Sequence, residues 1–210
     1  MWKNNSLSIV ISALFLLSLA GHSIAGWKAF NQRQRQHGAP AITYTEFVRS
    51  SDFGETVFEN WESEFLQMTF YVVLTVFLYQ RGSSESKRRD HKEDVEEDPE
   101  AHRDAPDAPA PVRRGGWRLA LYKNSLSLAF LLLFAGSFAG HAVAGARKVD
   151  QRAIDYVRTP QFWYESFQNW QSEFLAVLAI VVLSIWLRQW GSPESKPVHA
   201  PHYETGAKVA

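Results

Sequence analysis

The sequence predicts an all-α membrane protein, with four transmembrane helices arranged as two tandem hairpins. Three observations carry this. Two long stretches hold no Asp, Glu, Lys or Arg, one between Lys3 and Lys28 and one between Lys123 and Arg147. The second half of the chain repeats the first. The basic residues are unevenly shared between the ends and the hairpin loops. A helix needs ~20 apolar residues to cross ~30 Å of hydrocarbon, and each charge-free stretch exceeds that.

The first helix spans about residues 5–27. Lys3, the apolar run and "SIA" before Gly26 also resemble a signal peptide with its small-residue cleavage site. The run is long for a signal core, and a near-copy sits in mid-chain, so a membrane span is the better reading. The second helix covers about 52–81. It starts at Ser51-Asp52 and carries the apolar run Phe65–Gln80, and Gly82 stands where a left-handed terminating residue is wanted. The third covers about 119–146. The fourth covers about 160–190, with Thr159 as N-cap and Pro160 at the first helical position. Its apolar run is Phe174–Leu187, and Gly191 stands just past its end.

These helices define a first hairpin over 1–82 and a second over 117–191. Between them, 83–116 is charged, rich in Pro and Ala, and poor in large apolar residues. Such a stretch cannot bury enough surface to offset its ordering entropy, so the expectation is a disordered linker. Residues 192–210 read as a flexible tail. The pair His199 and His202 in that tail is a weak metal motif, because Pro197 and Pro201 disfavour the helix that would align it.

The repeat is detailed. Asn5-Ser6-Leu7-Ser8 matches Asn124-Ser125-Leu126-Ser127, and Gly21-His22, Ala25 and Gly26 match Gly140-His141, Ala144 and Gly145. Asn60-Trp61-Glu62-Ser63-Glu64-Phe65-Leu66 matches Asn169-Trp170-Gln171-Ser172-Glu173-Phe174-Leu175. Gly82-Ser83-Ser84-Glu85-Ser86-Lys87 matches Gly191-Ser192-Pro193-Glu194-Ser195-Lys196. The offset falls from 119 to 109 residues between the helices, so the second loop is shorter. A copied pair of spans keeps its orientation, which predicts a parallel repeat with a pseudo-twofold axis along the membrane normal.

Fourteen Lys and Arg fall in the N-terminus, linker and C-terminus, against eight in the two hairpin loops. That bias puts both termini on the cytoplasmic side. Trp2, Trp117, Trp186 and Trp190 then line the inner interface, and Trp27, Trp61, Trp163 and Trp170 the outer one. There is no cysteine and the net charge is zero. This excludes disulfides and thiolate metal sites, and it excludes a broad basic surface for nucleic acid.

Counting back from Arg81 and Arg188 places Glu64 and Glu173 about one turn inside the outer boundary, at the level of His22 and His141. Ser18, Gly21, His22, Ala25 and Gly26 form one helical stripe. Gly136, Gly140 and Ala144 give the third helix a small-residue face that lets backbones approach. The histidines are therefore expected to face other helices and to pair with Glu64 and Glu173, since titratable groups at membrane depth are costly unless partnered. Glu62 joins this outer layer, where the second half has Gln171. Thr75 and Ser184 form a secondary polar shelf about three turns deeper.

Several functions fit such a layer. The pairs hold the hairpins together in a structural or partner-binding component, or the cluster handles a proton, an ion or a small ligand. Bis-histidine haem ligation, or a divalent metal held by two His and two Glu, is a narrower alternative, and small residues leave little room for a macrocycle. No resident cofactor is expected. Partners are the lipid bilayer and another membrane protein or a second copy of the chain.

The motifs "NSLS", "GH..AG", "FENWESEFLQM", "FQNWQSEFL", "GSSESK" and "GSPESKPV" together resemble a family of bacterial membrane proteins known as a domain of unknown function. The resemblance covers both hairpins and implies a multi-pass protein of the bacterial inner membrane. It implies no activity. There is no nucleophile–base set, phosphate loop or cofactor fingerprint, so an enzyme is not expected.

Overall fold

A computed structural model describes residues 2–206. The side chains of Trp2 and Lys3, and Lys208, which the sequence places on the inner side, lie outside the described residues. The described chain is helical, with no strand. Its elements are α1 (Trp2–Gln36), α2 (Tyr44–Val48), α3 (Ser51–Phe77), α4 (Ala110–Arg114), α5 (Gly116–Lys123), α6 (Ser125–Lys148), α7 (Ala153–Tyr156) and α8 (Pro160–Leu183). Two short 3₁₀ turns, Asp94–Glu96 and Pro99–His102, lie between α3 and α4. The stretch Asn4–Gln36 and helix α6 are each long and apolar enough to cross a membrane.

Several boundaries differ from those the sequence predicts. Helix α1 runs on past Trp27 to Gln36. The third predicted helix is broken at Asn124, whose amide side chain donates to the Ala120 carbonyl at 2.9 Å. The Ser125 and Ser127 hydroxyls donate to the carbonyls of Tyr122 and Asn124. Short polar side chains bonding back to the main chain compete with the helical ladder, which accounts for the break. Helix α8 stops at Leu183, short of Trp190, and the next turn is tightened by bonds such as Ile185 N–H to Val182 at 3.2 Å. The Arg188 guanidinium donates to the carbonyls of Ser184, Ile185 and Leu187, satisfying groups a helix end leaves open.

The chain divides into two compact units. The first comprises residues 1–59 and 139–162: α1, α2, α7, the first turns of α3, the last turns of α6 and the start of α8. Its core is Phe47, Ala142, Ala144, Ala146, Tyr156 and Phe162. The loop after α1 is tied by Asn31, which exchanges two hydrogen bonds with the main chain of Ile42 at 2.9 and 2.8 Å. Thr43 and Glu46 then form a capping box that starts α2.

The second unit comprises 60–138 and 163–210. Within it, Ala108, Val112 and Leu119 make a small apolar cluster under α4 and α5. The turn after α3 and the turn after α8 are built alike. Gly82 and Gly191 both take left-handed φ, 87° and 80°. Ser86 and Ser195 accept at 2.9 Å from the main-chain N–H groups of Gln80 and Gln189. Ser83 and Ser192 accept from the N–H groups of Glu85 and Glu194 at 3.1 and 3.2 Å. The lysine that ends each motif anchors the chain just beyond it. Lys87 pairs with Glu96 at 2.6 Å. Lys196, buried, donates to the carbonyls of Pro201, His202 and Glu204 at 3.3, 3.0 and 2.8 Å. The tail ends against the first motif: the Gly206 N–H donates to Ser83, and the Gly82 N–H donates to the Thr205 hydroxyl.

Candidate functional site

Local sequence builds the first unit's site twice. Ser50 closes the turn before α3: its hydroxyl donates to the Phe47 carbonyl at 2.6 Å and accepts from the Phe53 N–H at 3.3 Å. Thr159 does the same before α8, donating to Tyr156 at 2.7 Å and accepting from Phe162 N–H at 3.3 Å. Each cap is a hydroxyl at the residue preceding the helix, where an orphan N–H needs an acceptor. The caps deliver two aromatic rings, and each pair closes on a histidine. His22 lies 5.4 Å from the Phe53 ring, and Phe53 lies 5.5 Å from Phe47. His141 stacks on Phe162 at 4.5 Å, and Phe162 lies 5.8 Å from Tyr156.

Two glycines admit these rings. A Cβ on Gly26 would stand 3.0 Å from the Phe47 ring, and one on Gly145 would overlap the Tyr156 ring and stand 2.7 Å from Glu55 Oε1. Gly140 is equally constrained, since a Cβ there would stand 2.5 Å from the Phe58 ring. The small-residue face seen in the sequence thus receives aromatic side chains in this unit.

The two copies differ in polarity. Tyr156 stands where the first half has Phe47, and its hydroxyl donates to Glu55 Oε1 at 3.2 Å. Lys148 holds Glu55 Oε2 in a close ion pair and stands 3.9 Å from Asp52. Glu55 is 3% exposed. A carboxylate in such a place is tolerable because it is both paired and hydrogen-bonded. Sequence reading missed Glu55, Lys148 and Tyr156. The one signal was Glu55 itself, an acid on the first turns of a helix whose repeat counterpart is Tyr164.

His22 and His141 belong to the first unit. His141 is fully buried. His22 is exposed, and Thr56 Oγ1 lies 3.4 Å from its Nε2. Glu62, Glu64 and Glu173 belong to the second unit. Glu62 is fully buried there and accepts from Trp170 Nε1 at 3.1 Å. Glu64 is exposed and within electrostatic range of half-buried Glu173. Of the deeper pair, Thr75 donates to the Tyr71 and Val72 carbonyls of its own helix. Ser184 is buried and shares a hydrogen bond with the Ser83 hydroxyl at 3.0 Å. Among the described residues no group of three or more His, Asp or Glu is placed to hold a metal ion.

The fold and site define an all-helical protein with long, exposed apolar helices and polar contacts gathered at helix ends. Residues 1–207 match a family described as domain of unknown function (DUF6766), and the chain belongs to that family. No curated protein and no solved structure matches it.

Proposed function

We propose that the chain is a multi-pass membrane protein with four spans in two parallel hairpins and both termini cytoplasmic. In this reading it is a structural or partner-binding component of the bacterial inner membrane, and the Glu55–Lys148–Tyr156 contact fastens the second hairpin to the first. That contact carries the proposal, because it joins α3 to α6 and α7 with a buried carboxylate and leaves the histidine rings to pack against phenylalanine. Exposure supports the spans: Leu17, Phe77, Leu132 and Leu175, one on each long helix, are 70%, 68%, 73% and 64% exposed. Apolar surface of that extent is covered in the working protein, and lipid is the cover its continuity along long helices fits. Trp117, Trp186 and Trp190, also exposed, suit the inner interface. Reporter fusions after Pro40, Glu100, Asp155 and Thr205 test the topology. The expected pattern is outside, inside, outside, inside, and an outside position for Glu100 overturns it.

A second reading, proton or ion handling, is favoured by one observation. Glu62 is a fully buried carboxylate on α3, a span in the proposed topology, where the other half carries Gln171. Glu62→Gln keeps the hydrogen bond from Trp170 and removes the titration. Under the proton reading it abolishes a pH-dependent ion or proton flux in proteoliposomes while the melting temperature stays near wild type. Absence of such flux in the wild type leaves the structural reading alone.

A further inference from the structure

The turn after α3 carries a charged cavity that neither reading uses. It measures about 540 Å³ and is lined by Tyr79, Arg81, Arg89, Asp90, Tyr203 and Glu204, with Lys87 and Arg88 at its wall. Lys87 and Arg88 are already neutralised, by Glu96 at 2.6 Å and Glu93 at 3.0 Å. Arg81, Arg89, Asp90 and Glu204 make no ion pair among the described residues. The cavity thus has two guanidinium-bearing and two carboxylate-bearing residues in its lining, none of them held in an ion pair, and Glu204 is also within electrostatic range of Lys196. Tyr79 also lines a second space, a mainly apolar groove of about 400 Å³. That groove runs between α3 and α8, along Phe70, Leu74, Leu78, Phe174, Val177 and Leu178. A charged cavity of mixed sign thus meets an apolar groove at a tyrosine on the last turn before Arg81.

We propose that this composite site holds one phospholipid with a zwitterionic headgroup bearing a primary ammonium. Its phosphate sits between Arg81 and Arg89, its ammonium faces Asp90 and Glu204, and an acyl chain lies in the α3–α8 groove. Guanidinium groups match phosphate oxygens through paired N–H donors, and carboxylates accept from an ammonium. A purely anionic headgroup would satisfy the arginines and leave the two carboxylates facing negative charge. A quaternary ammonium has no N–H to give them. The join at Tyr79 is where an interfacial aromatic ring belongs, between acyl chain and headgroup. The proposal rests on the membrane reading above.

Native mass spectrometry of the full chain in detergent tests it, with phosphatidylethanolamine, phosphatidylglycerol and phosphatidylcholine of matched chains as probes. The wild type is expected to retain phosphatidylethanolamine at least tenfold better than the other two. The double change Arg81→Gln, Arg89→Gln is expected to weaken that retention by about tenfold or more, the scale of one lost charge-assisted hydrogen bond. Asp90→Asn with Glu204→Gln is expected to erase the preference over phosphatidylglycerol. Val177→Trp fills the groove away from the turn, so it tests the site even if the turn variants unfold, and it should also weaken retention. Equal retention of all three lipids by the wild type overturns the proposal. So does displacement by free phosphoethanolamine at concentrations matching the lipid, which would make the site a headgroup pocket for a soluble ligand. Failure of the membrane reading is separately visible, because the protein would then fractionate without detergent.

Discussion

The Tyr156 hydroxyl and Lys148 divide the carboxylate of Glu55 between them, Tyr156 on Oε1 at 3.2 Å and Lys148 on Oε2. Lys148 is one-third exposed while Glu55 is 4% exposed in its side chain, so water screens one partner and not the other. Removing either cation or carboxylate therefore has unequal consequences.

Glu55→Gln is expected to lower stability by on the order of 1–3 kcal/mol, the range for a hydrogen-bonded charged group that loses its partner. Lys148→Met leaves the buried carboxylate with only Tyr156 and should cost at least as much. The double variant should cost less than the sum, with a coupling of roughly 0.5–3 kcal/mol. Thermal melts in detergent measure all three, and strict additivity would show that the pair contributes nothing.

Gly145→Ala drives a methyl into the Tyr156 ring and toward Glu55, so a loss of about 1–3 kcal/mol from overpacking is expected. Gly136→Ala is the control. A Cβ there meets nothing within 4 Å, and its melting temperature should be unchanged or slightly higher. The same loss at both positions would mean that helix flexibility, not space, sets the requirement.

The two histidines should behave differently despite their matched motifs. His141→Ala empties a fully buried, stacked position and should cost roughly 2–4 kcal/mol, as other large-to-small core changes do. His22→Ala, at an exposed position, should cost about 0.5 kcal/mol or less. Equal effects would argue that the two rings act as a symmetric pair.

Lys196 offers a test beyond the end of α8. Burial, with Arg188 nearby, holds its ammonium below the ordinary value of 10.5, and Glu204 opposes the shift. The unfolded chain then binds more protons than the folded one between that lowered value and 10.5, so this group's contribution to stability rises with pH across that window. The stability of the wild type relative to Lys196→Met should increase as pH is raised toward 10.5. The same substitution should expose the tail to chymotrypsin at Tyr203. A protected tail in the variant would mean that the contacts of Thr205 and Gly206 suffice.

Sequence periodicity reached the helices and their punctuation because those signals are local. The Thr159-Pro160 start of α8 and the left-handed Gly82 and Gly191 are features of a few adjacent residues. The break at Asn124 was missed because an Asn-Ser pair at the start of an apolar run reads as a tolerated polar spot, although its side chains bond back to the main chain. The contacts of His22 with Phe53 and Thr56 were not read from the sequence, although the start of α3 at Ser51 was, because the depth count back from Arg81 directed attention to the acids near Trp61 and not to the first turns of that helix. Glu55 was invisible because the repeat directs attention to matched positions. Tyr164 stands at its counterpart, and its ion pair spans 93 residues of sequence.

That spacing has a consequence for biogenesis. When residues 1–82 leave the ribosome, Phe47 and Phe53 can close on Gly26 and His22 at once, since all four lie in that segment. Glu55 cannot be satisfied then, because Lys148 and Tyr156 have not been synthesised. Residues 1–82 are therefore complete before the two partners that Glu55 holds in the folded chain exist, and its burial waits on the second half.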